Sequence, residues 1–201
     1  FMKVDPIIRA LDDSSRARLV HTGQHYDHAM SSSFFDQLGL PEPDLNLEVG
    51  SHSITVQTAA VMRRYEEVLR PDETEAVLVV GDVNSTLACA LVAVRYGIPV
   101  VHVEAGLRSF DRRMPEEINR VLTDQISDLL LITSPEARDN LLAEGRPDGS
   151  VVMVGNPMID TMLRLLPAAE ERGLQPPDAP YGMVTLHRPS NVDSPERLSS
   201  I

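Results

Sequence analysis

Chemically reactive side chains follow several apolar runs of this sequence, directly after the point where each run ends. The residues at these points are Asp82, Glu104, Gln24, His25, His187 and Arg188. In an open α/β sheet, ligands bind beyond the carboxyl ends of the strands, so a site is expected there. Carboxylates can act as general acids or bases, and Arg, Lys or His side chains can bind a phosphate or diphosphate. The sequence therefore predicts an active site at one end of a parallel sheet.

The two carboxylates in this set, Asp82 and Glu104, differ in how strongly they indicate a catalytic role. Asp82 lies between a predicted strand and a predicted helix, where Asp is commonly an N-cap, so a structural and a catalytic interpretation both stay open. Glu104 follows a fully apolar run and precedes Ala-Gly. Its carboxylate is therefore expected near buried surface, an environment that suits an acid or base near pH 7.

Glu116 and Glu117 open a predicted helix just after Pro115. Acidic residues in a first turn stabilise a helix by about 0.3–1 kcal/mol through its dipole, and Glu116 could also pair with Arg120 four residues later. The charged loop 108–115 before this helix favours a different interpretation, because such loops often close over ligands.

The elements that must position these residues alternate along the chain. Apolar runs rich in Val and Ile predict strands over 18–22, 76–80, 98–103, 129–132, 151–154 and 183–186. Helical spacing predicts helices over 2–11, 30–38, 54–69, 84–96, 116–126, 135–142 and 158–166. This alternation predicts an α/β fold with a doubly wound parallel sheet that is covered on both faces.

Composition excludes several other classes of protein. The 201 residues are 42% hydrophobic and 24% charged, which is typical of a soluble globular protein. The net charge of −12 has the opposite sign from that of most nucleic-acid binders. The single cysteine, Cys89, excludes an internal disulfide and is expected in the core. No apolar run is long enough to cross a membrane, and we expect the protein in the cytoplasm by default. The sequence contains neither a P-loop motif nor a GxGxxG motif after a predicted strand. His25, Asp27 and His28 lack a recognisable metal motif, so no metal is predicted.

A proline-rich stretch over 167–180 predicts a linker between residues 1–166 and a second domain that starts at 181. The chain begins at Phe1 and ends at Ile201 inside a predicted helix. We therefore expect it to be part of a longer protein.

Seven motifs give the chain a family resemblance. They are MKVDPIIRAL (2–11), TGQHYD (22–27), VLVVGDVNSTLA (77–88), VVHVEAGLRS (100–109), MPEEINR (114–120), VGNPMIDT (154–161) and TLHRPSNVD (185–193). In order and spacing they resemble the non-hydrolysing UDP-N-acetylglucosamine 2-epimerases. The family's Gly-Thr-Arg-Pro-Glu turn and most of its second domain have no counterpart in these residues.

The resemblance implies two Rossmann-like domains in a GT-B-like (UDP-glycosyltransferase/glycogen phosphorylase-like) fold, with a UDP-sugar bound between them. It implies an isomerase that eliminates UDP to a glycal and adds it back, without a cofactor, for the synthesis of surface polysaccharide precursors. Asp82, Glu104 and Glu116 match the catalytic carboxylates. The positions that match substrate contacts are Lys3, Arg120, His187, Gln24, His25, Arg108 and Arg188. A homodimer is implied, and the chain by itself is expected to be inactive.

Three alternatives stay open at this stage. A 2-epimerase of UDP-2,3-diacetamido-2,3-dideoxyglucuronate shares the GQHYD and GDVNST variants. A B-type glycosyltransferase would transfer the sugar to an acceptor, and the three carboxylates argue against it. A non-enzymatic regulator would bind nucleotide sugar without needing Asp82 or Glu104.

Overall fold

A computed structural model describes residues 1–11, 16–23, 38–173, 178–186 and 189–201. Six strands lie within the described residues: β1 (Val20–His21), β2 (Leu45–Asn46), β3 (Val77–Val80), β4 (Val100–Ala105), β5 (Leu129–Ile132) and β6 (Val151–Met153). The helices are α1 (Asp5–Ala10), α2 (Ile54–Val68), α3 (Asn84–Arg95), α4 (Pro115–Ile126), α5 (Pro135–Ala143), α6 (Pro157–Glu171), α7 (Pro189–Val192) and α8 (Pro195–Ser199). Short 3-10 turns cover Pro71–Glu73 and Asp148–Ser150.

The main sheet has four parallel strands in the order β3-β4-β5-β6, and β1 pairs with β2 in a separate parallel pair. Each connection in the main sheet carries a helix, as parallel pairing requires. The carboxyl ends of β3 and β4 therefore lie side by side, with Val80 opposite Val103. The predicted α/β parallel architecture is confirmed.

The helix-covered face of the sheet holds most of the core. Val77 and Val79 of β3 lie beside Val100 and His102 of β4, and this face packs under α2 and α3. A second cluster joins Leu130, Ile132 and Val151 to α5. Cys89 belongs to the first cluster, as predicted, and burial raises the pKa of its thiol to about 12.

The other face of the sheet is less covered than predicted. Leu78 on β3 and Val152 on β6 are 42% and 43% exposed. Both lie on the edge strands of the sheet, where fewer of the described residues pack against them.

Local signals placed most helix ends correctly. Pro115 is the first residue of α4, and Gly97 follows α3 with φ of +71°, a conformation that glycine adopts without strain. α2 ends at Val68, before the predicted stop at Arg70-Pro71.

Three predicted elements differ from the structure or lie outside it, and one observed strand was not predicted. The predicted strand 183–186 is absent, since no described strand pairs with these residues and their side chains are exposed. The helix predicted over 158–166 continues through Pro167 to Glu171. Proline has no N–H, so one backbone carbonyl of the helix loses its hydrogen bond. The helix tolerates this loss because it is exposed and water can bind that carbonyl. β2 was not predicted, being only two residues long. The helix predicted over 30–38 lies outside the described residues except for Leu38.

The chain divides into two compact units, residues 1–164 and residues 165–201. All of the buried residues among those that the structure describes lie in the first unit. None of the described helices is both long and apolar enough to cross a membrane.

Candidate active site

Glu104 owes its position to a β-bulge at the end of β4. The register between β4 and β5 shifts between Val103 and Ala105, and Glu104 has φ of +68°, which is strained for a residue with a side chain. Side chains alternate along a strand, so without the bulge Glu104 would follow His102 onto the helix-covered face. Instead, its carboxylate accepts a hydrogen bond from the Lys3 ammonium group, with 15% of the Glu104 side chain exposed. The bulge therefore keeps a carboxylate out of the core and holds it at the strand end.

Gly81 brings the end of β3 against this pair. It has φ of +72°, and a Cβ atom built on it would lie 3.5 Å from Lys3 Nζ and 3.6 Å from Glu104 Oε2. The Gly81 N–H donates to the Val103 carbonyl at 3.0 Å. The Gly81–Asp82 turn and the Glu104 bulge are therefore immediate neighbours.

Asp82 pairs with a cation rather than capping a helix. α3 begins at Asn84 after Val83, and no side chain caps it. The Asp82 carboxylate instead accepts a hydrogen bond from the Arg120 guanidinium of α4, and the Asp82 side chain is 29% exposed. We call Lys3–Glu104 and Arg120–Asp82 the open pairs, because water reaches both.

Glu116 and Glu117 have opposite environments in the first turn of α4. Glu116 is exposed, and its side chain makes no hydrogen bond or ion pair with the described residues. Glu117 is 2% exposed and accepts from the backbone N–H groups of Ser109 and Phe110, both at 2.9 Å, and from Arg120 at 3.0 Å. The ion pair considered for Glu116 and Arg120 is thus made by Glu117.

Glu117 fixes the loop between β4 and α4. Burial would raise the pKa of its carboxyl group, but the hydrogen bonds from Ser109 and Phe110 and the charge of Arg120 outweigh burial and lower it. The carboxylate therefore stays charged and holds Phe110 at a φ of +57° with its ring 79% exposed.

A chain of amide side chains supports the Asp82 turn. Asn119 of α4 donates to the Asp82 carbonyl at 3.0 Å and to Asn84 Oδ1 at 3.1 Å. Asn84 donates in turn to Gln57 Oε1 at 2.8 Å, and Gln57 donates to the Gly50 carbonyl at 3.0 Å. Sequence reasoning missed these residues, since an Asn or Gln alone carries no spacing signal.

Behind the two turns lies a set of buried charged side chains. His102 Nδ1 lies 2.6 Å from Asp124 Oδ1, and Asp124 Oδ2 accepts from the Gly106 N–H at 3.0 Å. Arg108 Nη2 lies 2.7 Å from Asp124 Oδ2 and 2.6 Å from Glu144 Oε2. We call His102, Asp124 and Arg108, with Glu144 at its outer end, the buried network.

Arg108, predicted to contact substrate, lies in the buried network. Its side chain is 1% exposed and donates to Glu144, Asp124 and the Leu107 carbonyl, so the guanidinium is not open to a ligand. Burial would lower the pKa of this group, but Glu144 and Asp124 outweigh burial and raise it. In this structure Arg108 supports the loop between β4 and α4, and its predicted substrate contact stays a prediction.

The structure brings together four of the predicted site residues at the ends of β3 and β4: Lys3, Asp82, Glu104 and Arg120. Glu116 lies exposed in the first turn of α4, the helix that carries Arg120. Gln24, His25, His187 and Arg188 lie outside the described residues, as do Asp27 and His28. Within the part of the chain that the structure describes, no group of three His, Cys, Asp or Glu side chains could hold a metal ion. The site can therefore supply carboxylates for proton transfer and cations for an anionic ligand from its own side chains.

Comparison with known proteins places these residues in context. A family model described as UDP-N-acetylglucosamine 2-epimerase matches residues 9–201. The chain is 45% identical over 208 residues to the UDP-N-acetylglucosamine 2-epimerase of Methanocaldococcus jannaschii, covering 100% of this chain and 57% of that protein. It is 43% identical over 206 residues to the UDP-2,3-diacetamido-2,3-dideoxy-D-glucuronate 2-epimerase of Pseudomonas aeruginosa, covering 100% of this chain and 58% of that protein.

The fold has a solved counterpart. The crystal structure of the Methanocaldococcus jannaschii enzyme in complex with UDP-GlcNAc and UDP matches with a TM-score of 0.89 at 44% identity, over 98% of this chain and 56% of that one. The described residues thus have the Rossmann-like arrangement of one half of a GT-B-like fold, as predicted. The chain spans 57% and 58% of the lengths of the two curated relatives.

Proposed function

Because the chain belongs to the UDP-N-acetylglucosamine 2-epimerase family, we propose that its protein is an isomerase that inverts C2 of UDP-N-acetylglucosamine to give UDP-N-acetylmannosamine. The observation that carries this proposal is the strained Glu104 carboxylate, held by a bulge beside Lys3 and the Gly81–Asp82 turn. Backbone strain of this kind costs about 1–3 kcal/mol and clusters at active sites.

The reaction needs a base, an acid and an anion-binding group. A base removes the C2 proton while the bond between C1 and the diphosphate oxygen breaks, which leaves a glycal and UDP. UDP then forms its bond to C1 again, and an acid returns a proton to C2 on the other face. The C2 proton is weakly acidic, so stabilising the departing diphosphate matters as much as removing the proton.

The open pairs match these needs. Glu104 and Asp82 supply carboxylates whose partners, Lys3 and Arg120, are cations that an anionic diphosphate can attract away. Their side chains are 15–33% exposed, so a ligand reaches them without unfolding the core. Glu116, exposed in the first turn of α4, is the third carboxylate that we assign to proton transfer.

The second candidate substrate is UDP-2,3-diacetamido-2,3-dideoxyglucuronate. The Pseudomonas aeruginosa relative named for this substrate is 43% identical to the chain, against 45% for the Methanocaldococcus jannaschii relative. This difference is too small to favour either sugar. The same carboxylates would serve both, because the reaction at C2 is identical.

Substrate profiling of the protein with its natural termini tests the proposal. We expect conversion of UDP-N-acetylglucosamine to an equilibrium mixture with UDP-N-acetylmannosamine, followed by NMR. Conversion of the diacetamido-uronate alone would move the assignment to the second substrate. Absence of conversion with both substrates, in a folded sample that binds UDP, would contradict the epimerase proposal.

The predicted homodimer stays a prediction. Analytical ultracentrifugation of the same protein is expected to give twice the mass of one chain. A single species of monomer mass at micromolar concentration would contradict it.

A further inference from the structure

The buried network touches both turns that carry the proposed catalytic carboxylates. We infer that His102, which bridges Gly81 and Asp124, is a positioning residue that holds the Asp82 turn and the Glu104 bulge in place; this inference rests on the proposed function. His102 Nε2 lies 2.8 Å from the carbonyl oxygen of Gly81, the residue before Asp82. Through Asp124, the same ring is linked to the N–H of Gly106, two residues after Glu104.

Both nitrogens of the His102 ring have a partner. Nε2 donates to the Gly81 carbonyl, which can only accept. Nδ1 faces Asp124, whose other oxygen accepts from the Gly106 N–H and lies 2.7 Å from Arg108.

The geometry explains what the ring does for the reaction. One hydrogen bond fixes the backbone before Asp82, and a relay of two fixes the backbone after Glu104. The two carboxylates follow neighbouring strands whose last hydrogen bond joins the Gly81 N–H to the Val103 carbonyl. Beyond that bond, the contacts of the ring hold the two turns. A displacement of about 1 Å in such a site can cost about 100-fold in rate.

Two variants separate the two contacts of the ring. In His102→Asn the amide nitrogen replaces Nδ1 and keeps the bond to Asp124, whereas in His102→Gln it replaces Nε2 and keeps the bond to Gly81. We expect kcat to fall about 100-fold in each variant, with KM changed less than threefold, because the substrate contacts stay in place. His52→Gln is the matched control, since His52 is exposed, and it should leave kcat unchanged.

The contacts of the ring are also measured without any activity. His102→Gln loses the contact to Asp124, so hydrogen exchange at the Gly106 amide should be faster in this variant than in wild type, and unchanged in His52→Gln. Unchanged exchange at Gly106 in His102→Gln would overturn the inference, as would folded His102 variants with kcat within twofold of wild type. If the exchange result holds but wild-type protein converts neither UDP-sugar, the proposed function fails while the positioning contact stands.

Discussion

Two sets of ion pairs lie next to each other at the carboxyl ends of β3 and β4, and they differ in their contact with water. In the open pairs, the side chains of Lys3, Glu104, Asp82 and Arg120 are 15–33% exposed. In the buried network, His102, Asp124 and Arg108 are at most 1% exposed. Exposed pairs contribute little to stability, whereas breaking a buried pair leaves an uncompensated charge.

This difference in exposure indicates different roles for the two sets. A pair that water reaches can exchange its partner for a ligand, so the open pairs are suited to binding and proton transfer. The buried network cannot open without unfolding, so it is suited to fixing backbone positions. We therefore expect variants of the open pairs to lose activity and keep stability, and variants of the buried network to lose stability as well as rate.

The largest effect is expected for Glu104→Gln. Removing the charge of the proposed acid–base group should lower kcat by about 10²–10⁴-fold. The melting temperature should change little, because the lost ion pair with Lys3 is partly exposed. Steady-state kinetics and thermal melts check both parts, with the exposed Glu75→Gln as control. A large fall in melting temperature would remove the distinction between the two sets.

Asp124→Ala tests the other side of the comparison. It removes the carboxylate beside Arg108 and His102 and should lower the free energy of unfolding by about 3–5 kcal/mol. Urea denaturation measures this change, and Asp139→Ala is the control on an exposed helix position. Unfolding free energies that agree within 1 kcal/mol for the two variants would mean that the buried network does not stabilise the fold.

Lys3→Ala should affect turnover less than the loss of Glu104. We expect kcat to fall about 10²–10³-fold if Lys3 stabilises the departing diphosphate. Lys3→Arg keeps the charge and should recover part of the rate. Equal kinetics for wild type and Lys3→Ala would exclude Lys3 from the reaction.

The smallest effect concerns pH and Glu117. Its pKa is lowered in the folded protein, so the unfolded chain binds more protons in the acid range and stability falls with falling pH. The contribution of Glu117 is therefore complete above the ordinary carboxyl range and lost as pH falls through its folded pKa. Glu117→Gln should lower the free energy of unfolding at pH 7 by about 1–3 kcal/mol.

Denaturation at pH 7 and at pH 3 measures the Glu117 contribution directly. The difference between wild type and Glu117→Gln should be large at pH 7 and smaller at pH 3. An equal difference at both values would show that the charge of Glu117 is not what holds the β4–α4 loop.

The sequence predicted the strand ends and therefore the right neighbourhood for the site. Asp82 and Glu104 each follow an apolar run, and parallel strands bring such positions together without any knowledge of tertiary structure. The bulge at Glu104 could not be predicted, because glutamate rarely adopts the positive φ that it has here. The surrounding structure decides this conformation.

The two glutamates of α4 show why partners are harder to predict than positions. Helical spacing could not decide whether Glu116 or Glu117 faces inward, since the loop that Glu117 holds has no regular pattern. The residues of the buried network did have a recognisable pattern in the sequence. His102 lies within an apolar strand, and Asp124 lies seven residues after Glu117, on the same side of α4.

Deuterium exchange is the most direct test of the claim that the open pairs carry out proton transfer at C2. The protein with its natural termini is incubated with UDP-N-acetylglucosamine in D₂O, and the sugar is followed by proton NMR. The account predicts UDP-N-acetylmannosamine with deuterium at C2 for wild type and little exchange for Glu104→Gln. Conversion that retains the C2 proton, or exchange at the wild-type rate in Glu104→Gln, would contradict it.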